Sequence, residues 1–159
     1  MDHAAQCRSA VACRLVADVA RGFGEVRLGV TGASMIPAIW PGDVILVHHR
    51  NPGELQSGKI ILYVRGENLV AHRITSIRDA RLITRGDSLS HDDPSIGESD
   101  ILGEVVCLLR NGRYISPRQT FLQRGVSALL RRSGFCKRMA LRAGLRVLRI
   151  APKEMPCVS

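Results

Sequence analysis

The sequence has few aromatic residues, no C-x-x-C pair and no long apolar run. Aromatic residues make up 4% of the 159 positions and hydrophobic residues 45%, so the core must consist mainly of Val, Ile, Leu and Ala. The five cysteines are odd in number, which argues against a zinc site or a disulfide framework and favours reduced thiols in the cytosol. No run approaches the ~18 apolar residues of a membrane span, and Arg14, Asp18 and Arg21 interrupt the N-terminal segment. We therefore expect a cytoplasmic protein with no metal or cofactor, attached at most to a membrane surface.

Charge is distributed unevenly along the chain. The formal net charge is +9, and residues 110–153 contain twelve Lys or Arg and no Asp or Glu, whereas acidic residues gather between Asp87 and Asp100. Basic helices in this tail could lie on an anionic membrane surface, or they could present a solvated face while packing on the rest of the protein. Nucleic acid is a less suitable partner, because the basic half of the tail contains one aromatic residue, Phe135, and no recognised binding motif.

The hydrophobic pattern divides the chain into three parts. Apolar residues recur at helical spacing from about Ala4 to Arg21, and Gly22 and Gly24 follow, so residues 1–24 are predicted to form a helix. Residues 25–116 instead contain short runs rich in Val, Ile and Leu between turn residues: VRLGV, DVILVHH, KIILYVRG, NLVAHRITSI, ARLITRG and DILGEVVCLL. This pattern is typical of a mainly β domain, either a small barrel or a sandwich. Helical spacing returns in residues 117–159, which are predicted to form the basic helices.

A serine on a turn is the first candidate for chemistry. Ser34 lies between Gly32 and Pro37 and precedes a predicted strand, in the segment TGASMIPAIWPGD. A hydroxyl on such a turn can be exposed, and a glycine two positions earlier lets a substrate backbone approach closely. Taken alone, the same pattern is more typical of an ordinary turn.

A histidine and an acidic loop supply the other groups that a serine nucleophile needs. His72 interrupts an apolar strand in VAHRI, and a neutral imidazole is a natural general base. The segment TRGDSLSHDDP contains three aspartates and a second histidine, and its spacing differs from that of a calcium-binding loop. Because a base must remove the serine proton and a carboxylate must orient that base, the three segments together predict a Ser-His-Asp mechanism.

The same three segments resemble the type I signal peptidase family. The shared features are S-M-x-P followed by P-G-D, the strand ending in H-R-I, and the T-x-G-D…D-D loop leading into I-x-G-x-V, which together cover about residues 30–107. The resemblance implies the β-fold that this family shares with LexA-like proteins, with Ser34 as nucleophile and His72 as general base. Bacterial members of the family place lysine in the base position, whereas a histidine there resembles the branch found in archaea, the endoplasmic reticulum and some spore-forming bacteria.

The resemblance also implies supporting residues. Asp93 would orient the histidine and Asp87 would support it, with Asp92 as a rival for Asp93. Substrate would be contacted by the strand from Asp43 to Val47 and by three further residues, Gly32, Met35 and Pro37. The backbone N–H of Ser34 would stabilise the developing oxyanion. Gly32 lacks the hydroxyl that some relatives place there, so the second oxyanion donor is not identified.

The sequence departs from the family pattern in three respects. No membrane helix precedes Ser34, Lys59 replaces an acid in a second G-D motif, and Ser88 and Leu89 replace the asparagines of G-D-N-N. The first departure leaves the substrate open, because family members normally process exported preproteins. We expect a serine endopeptidase that processes a peptide or preprotein. The alternatives are a LexA-like self-cleaving regulator, which would need a lysine base, and a non-catalytic binding module that keeps the fold.

Overall fold

The described part of the chain contains one long α-helix, seven strands and two short 3-10 helices, Pro52–Glu54 and Glu98–Asp100. The computed structural model describes residues 3–79 and 81–117. Helix α1 spans His3–Phe23, and the strands are β1 Glu25–Gly29, β2 Val44–His48, β3 Ile60–Arg65, β4 Asn68–Arg78, β5 Arg81–Arg85, β6 Ile101–Arg110 and β7 Arg113–Ile115. The prediction of a mainly β protein is confirmed. The basic helices predicted for residues 117–159 lie outside the described residues, apart from residue 117 itself.

Helix α1 ends close to its predicted boundary. Gly24 has a φ of 73° and donates its N–H to the carbonyl of Ala20 at 3.1 Å, which satisfies one of the last carbonyls of the helix. Ala17 and Ala20 are buried against the sheet, whereas Leu15 on the opposite side is exposed. Within the described ranges, no helix combines the length and apolar character that crossing a membrane requires.

The strands form one antiparallel sheet in the order β1-β2-β6-β3-β4-β5, with β7 paired to β6. The register between β4 and β5 begins at Arg73, which pairs with Arg85. The first half of β4, from Asn68 to His72, pairs with β3 on its other side. Residues at the end of β1 and in this first half of β4 line the same cleft, so the sheet curves until these two edges face each other.

Strand β3 is buried on both faces and separates two apolar clusters. Side chains alternate along a strand, so Ile60 and Leu62 join the cluster that contains the helix residues, whereas Ile61 and Tyr63 join a second cluster. All four side chains are at most 2% exposed. Double-sided burial explains why this strand appears in the sequence as a continuous apolar run. Because β3 is embedded in the core and pairs with β4 from Asn68 to Arg73, it holds the part of β4 that carries His72.

Candidate active site

Ser34 lies on a turn that is anchored in the core. The connection between β1 and β2 is closed at its base because Val30 donates to the carbonyl of Asp43 and accepts from the N–H of Gly42. Within it, Met35 and Ile39 are at most 3% exposed and pack in the cluster that contains the helix residues. These core contacts anchor the turn, while the side chain of Ser34 lines the cleft.

His72 contacts both Ser34 and Asp93. It is 5% exposed, and β4 fixes its backbone opposite Ile61 of β3. Its Nε2 lies 2.9 Å from Ser34 Oγ, and its Nδ1 lies 2.6 Å from Asp93 Oδ2. An ionised carboxylate can only accept, so Nδ1 carries the proton and donates to Asp93. When the imidazole is neutral, Nε2 is then the unprotonated nitrogen and accepts from the Ser34 hydroxyl, which is the arrangement that a general base requires.

Asp93 reaches His72 because the loop after β5 turns back along that strand. Ile96 and Leu82 exchange two backbone hydrogen bonds of 2.8 and 3.1 Å, and Asp93 donates its N–H to the carbonyl of Thr84 at 2.8 Å. Thr84 pairs with Ile74, two residues beyond His72 on β4, so alternation places all these side chains on one face. The carboxylate of Asp93 is therefore held beside the imidazole by the backbone as well as by its side chain.

Three further side chains bind the Asp93 carboxylate. Thr84 donates to Oδ2 at 2.8 Å, the Tyr63 hydroxyl donates to the same oxygen at 3.2 Å, and Arg65 donates to Oδ1 at 3.0 Å. None of these three residues was predicted from the sequence. The alternation of β3 places Tyr63 and Arg65 on one face and could have indicated them, but only if the path of the acidic loop had been known.

The environment of Asp93 favours its ionised form. Burial by itself would raise the pKa of Asp93, but hydrogen bonds from His72 and Thr84, the His72 charge and the Arg65 hydrogen bond together hold it below the ordinary value. Burial raises the pKa of Tyr63, and the hydrogen bond with Thr84 offsets this only in part. Tyr63 therefore stays a neutral donor, and Asp93 stays an anion that accepts from it.

Asp87 lies on the opposite face and does not contact His72. Arg73 follows His72 on β4, so its side chain points the other way and makes two hydrogen bonds to Asp87, of 2.9 and 2.8 Å. Arg73 also donates to the carbonyl of Gly58 at 2.7 Å. Asp87 is 4% exposed, so this ion pair is sealed in the protein. Its contacts fix the start of the acidic loop next to the Ser34 turn.

Close contact between that loop and the Ser34 turn requires a glycine at position 86. A Cβ added to Gly86 would lie 2.7 Å from the carbonyl oxygen of Ser34 and 3.0 Å from the side chain of Leu89. The next residue but one, Ser88, donates its N–H to the Ser34 carbonyl at 2.9 Å. The serine turn and the acidic loop are therefore joined directly, without an intervening side chain at position 86.

Asp92, the rival for Asp93, lies away from the histidine. Its side chain is 49% exposed and contacts Arg85 and Thr75, each at 3.5 Å. Two adjacent aspartates in an extended loop cannot be told apart from their spacing, because both are equally close in sequence to the predicted base. The backbone hydrogen bond between Asp93 and Thr84 makes the difference, and it depends on the fold of the loop.

A cleft of about 430 Å³ opens over Ser34 and His72. Most of its walls are apolar and come from the end of β1, the serine turn, β3 and β4, with these residues among them: Leu28, Val30, Met35, Ile45, Leu62, Leu69, Val70 and Leu89. Gly32 also lines the cleft, and a Cβ there would meet no atom within 4 Å. The space beside Gly32 is therefore open, so a substrate backbone could approach it closely.

Two of the predicted substrate contacts do not line the cleft. Asp43 is fully buried, and its carboxylate accepts two hydrogen bonds from Arg110, of 2.8 and 2.7 Å, and one from the N–H of Trp40. Pro37 lies further along the turn and accepts from the Trp40 indole at 3.0 Å through its carbonyl. Both residues hold the turn that carries Ser34. The strand after Asp43 contributes Ile45 to the cleft, and β4 supplies the facing wall. Contact of Pro37 and Asp43 with substrate stays a prediction.

The predicted residues therefore separate into three groups. Ser34, His72 and Asp93 meet in a hydrogen-bonded series, Gly32 and Met35 border the cleft, and the remaining members of the set support the backbone. In the described ranges, no cluster of three or more His, Cys, Asp or Glu side chains has the arrangement of a metal site. The chain matches no protein-family model and no curated protein sequence to a significant degree.

Proposed function

We propose that this protein is a serine endopeptidase in which Ser34 is the nucleophile, His72 the general base and Asp93 the orienting carboxylate. One observation supports this proposal above the others, namely the series of hydrogen bonds from Ser34 Oγ through both ring nitrogens of His72 to Asp93, at 2.9 and 2.6 Å. Ser34 and His72 open into an apolar cleft, while Asp93 is bound by three donors besides the imidazole. A binding module would have no need of this arrangement.

Acylation would begin with attack of Ser34 Oγ on the carbonyl carbon of the scissile peptide. His72 Nε2 takes the hydroxyl proton as the C–O bond forms, and Asp93 stabilises the imidazolium. The carbonyl oxygen becomes an oxyanion, towards which the backbone N–H of Ser34 would donate. The C–N bond then breaks, Nε2 gives its proton to the departing amine, and an ester to Ser34 remains.

Deacylation would repeat these steps with water in place of the serine. His72 Nε2 takes a proton from the water as its oxygen attacks the ester carbon, which gives a second oxyanion. The ester C–O bond breaks, and the proton passes from Nε2 to Ser34 Oγ. The free carboxylic acid leaves, and both side chains return to their starting protonation states, so the cycle consumes one peptide bond and one water.

The cleft suits a substrate in extended conformation. Val30 directs its N–H and carbonyl towards residues 42 and 43, so alternation turns the corresponding groups of Gly29 and Thr31 towards the cleft. A peptide strand could pair with this edge of β1 while the first half of β4 borders its other side. The apolar walls favour aliphatic side chains near the cut. Extended pairing would present the scissile carbonyl to Ser34.

The resemblance to type I signal peptidases also supports the proposal of a serine endopeptidase. The residues that carry the resemblance include Ser34, His72, Asp87 and Asp93, and each contributes to the site or to its immediate support. We propose on this basis that the sheet has the signal-peptidase-like fold and that the enzyme processes a peptide or preprotein.

Labelling with a fluorophosphonate tests the nucleophile without knowledge of the substrate. Ser34 Oγ should attack the phosphorus and displace fluoride, with His72 taking the proton, which adds the phosphonyl mass to one site. Intact-protein and peptide mass spectrometry should place the adduct on Ser34. A panel of extended peptides with small aliphatic residues before the cut then tests hydrolysis, and Ser34→Ala and His72→Ala should each lower turnover by about 10⁵- to 10⁶-fold.

Matched controls are available in the acidic loop. Ser90 and His91 are both exposed, so Ser90→Ala and His91→Ala remove the same side chains away from the cleft and should retain wild-type rates. The proposal is wrong if Ser34→Ala keeps its hydrolytic rate, or if the folded wild type neither reacts with the fluorophosphonate nor cleaves any peptide of the panel. The latter result would favour a non-catalytic binding module.

A further inference from the structure

Ser88 is buried beneath the serine turn and holds two successive carbonyl groups of that turn. It is 4% exposed. Its N–H donates to the carbonyl of Ser34 at 2.9 Å, and its hydroxyl lies 3.0 Å from the same oxygen and 3.1 Å from the carbonyl oxygen of Ala33. Since the backbone N–H of Ser88 already donates to the Ser34 carbonyl, we assign the single hydroxyl proton to the hydrogen bond with the Ala33 carbonyl.

Among the described residues, the Ala33 carbonyl has one further donor. The N–H of Ile36 lies 3.4 Å from it and closes the turn from the other end. This distance is long for an N–H···O bond, whereas the Ser88 hydroxyl is closer, at 3.1 Å. Ser88 is therefore the main restraint on the orientation of this carbonyl, and hence on the peptide plane between Ala33 and Ser34.

That peptide plane also carries the N–H of Ser34. Within the described ranges the one cis peptide bond joins Ile36 and Pro37, so the bond between Ala33 and Ser34 is trans. In a trans peptide the C=O and N–H groups point in opposite directions. A carbonyl directed at Ser88 therefore directs the Ser34 N–H away from the acidic loop. Among the described residues, no acceptor binds this N–H.

We propose that Ser88 is a positioning residue that aims the backbone N–H of Ser34 at the oxyanion, an inference that rests on the proposed peptidase function. Loss of the Ser88 hydroxyl would leave the Ala33 carbonyl with only the long bond from Ile36, and the peptide plane could rotate. The N–H would then point away from the oxyanion for part of the time. The nucleophile and the base would be unaffected, because neither Ser34 Oγ nor His72 contacts Ser88 in this structure.

The test compares Ser88→Ala with the matched control Ser90→Ala in the full chain. Removing an oxyanion donor costs about 10²- to 10³-fold in kcat, so loosening one should cost about 10- to 100-fold. KM for a peptide cleaved by the wild type should stay unchanged, because the ground-state carbonyl gains little from this N–H. The rate constant of fluorophosphonate labelling at saturation should fall with kcat, because the phosphoryl oxygen occupies the oxyanion position.

A conservative variant and a binding measurement separate positioning from a structural role. Ser88→Cys keeps a side chain of similar size with a weak donor and should give an intermediate kcat. Adding Ser88→Ala to Ser34→Ala should leave substrate peptide affinity unchanged, as measured by calorimetry. Thermal unfolding should show that each variant is folded at the assay temperature.

The possible results have distinct meanings. An active wild type with equal kcat in Ser88→Ala and Ser90→Ala overturns this inference and leaves the proposed function intact. A Ser88→Ala variant that loses peptide affinity together with kcat shows a structural role and overturns the inference as well. A wild type that is not labelled and cleaves no peptide overturns both proposals.

Discussion

Two neighbouring residues of β4 meet two aspartates of the same loop, and the two pairs differ in almost everything except burial. The side chain of His72 lies on the face of β4 that borders the cleft and is hydrogen-bonded to Asp93. The side chain of Arg73 lies on the opposite face and is hydrogen-bonded to Asp87. The side chains of the two aspartates are similarly buried, at 8% and 4% exposure. Because neighbouring side chains of a strand point to opposite faces, the two adjacent residues bind their aspartates at two separate sites.

The partner of each carboxylate decides what the pair can do. The guanidinium of Arg73 stays charged at any ordinary pH, so its pair with Asp87 can only hold the loop in place. An imidazole, unlike a guanidinium, can both accept and release a proton, so the pair of His72 with Asp93 can take part in proton transfer. Burial of an acid is therefore a poor guide to function here, and the proton-exchange capacity of its partner is a better one.

Among the changes that compare the two aspartates, the largest expected effect is on turnover in Asp93→Asn. An amide at this position can present its NH₂ group to Nδ1, which would put the ring proton on Nε2 and leave no base for Ser34. Turnover should fall by about 10⁴-fold, as in other triads that lose their carboxylate. Steady-state hydrolysis of a peptide cleaved by the wild type measures it.

The comparison requires that the other two aspartates behave differently. Asp92→Asn changes an exposed carboxylate in the adjacent position and should retain the wild-type rate. Asp87→Asn should lower the rate per folded molecule by less than tenfold. If Asp87→Asn and Asp93→Asn lose equal activity while both remain folded, the distinction between a proton-transfer pair and a structural pair is wrong.

The next effect is on stability, and here the order of the two aspartates reverses. Asp87→Asn leaves the buried Arg73 without its counter-charge, and breaking a buried ion pair on one side typically costs about 3–5 kcal/mol. Urea-induced unfolding should show this loss. The double variant Arg73→Met with Asp87→Leu removes both charges and should recover much of it, whereas equal instability of single and double variants would contradict the proposed cause.

Stability and activity should depend on pH through different members of the His72–Asp93 pair. The folded-state pKa of Asp93 is lowered from 3.8, so Asp93 stabilises the folded protein above that value, and the contribution is lost as the pH falls through the lowered pKa. Stability measured by urea unfolding should therefore decline more steeply below about pH 4 in the wild type than in Asp93→Asn.

Activity should fall at higher pH than stability. Protonation of the imidazole removes the base, so hydrolysis should decline on acidification while Asp93, whose pKa is lowered, is still ionised. A rate that instead requires strongly alkaline pH would point to a lysine base and contradict the role of His72.

The strands could be predicted from sequence because each contains a run of β-branched or aliphatic residues between turn residues. All six predicted runs overlap strands β1 to β6. Strand β7 was missed because it has only three residues, although Asn111 and Gly112 before it, with φ of 49° and 73°, are the residue types that a tight hairpin turn prefers. That dipeptide was a usable signal.

The site was only partly predictable for a physical reason. Ser34 and His72 stand out because a polar side chain on an apolar strand or a glycine-flanked turn needs an explanation. Tyr63, Thr84 and Arg65 do not stand out, since each is an ordinary strand residue until the acidic loop folds back and brings Asp93 to them. Contacts that a loop creates over a distance in sequence cannot be read from local patterns.

The smallest expected effect concerns Arg65, which donates to the outer oxygen of Asp93 at 3.0 Å from a side chain that is 40% exposed. Water screens a charge at such a position, and Tyr63 and Thr84 still hold Asp93 when it is lost. Arg65→Met should therefore lower kcat/KM by less than tenfold, and Arg65→Lys, which keeps the charge, should lower it less.

Arg65→Met should also shift the protonation of Asp93 to higher pH, because the positive charge that favours the carboxylate is removed. The free energy of unfolding should then begin to decline at a higher pH on acidification than in the wild type. If Arg65→Met reduced activity as strongly as Asp93→Asn, the guanidinium would have a direct part in catalysis, and the contrast between fixed and exchangeable partners would no longer hold.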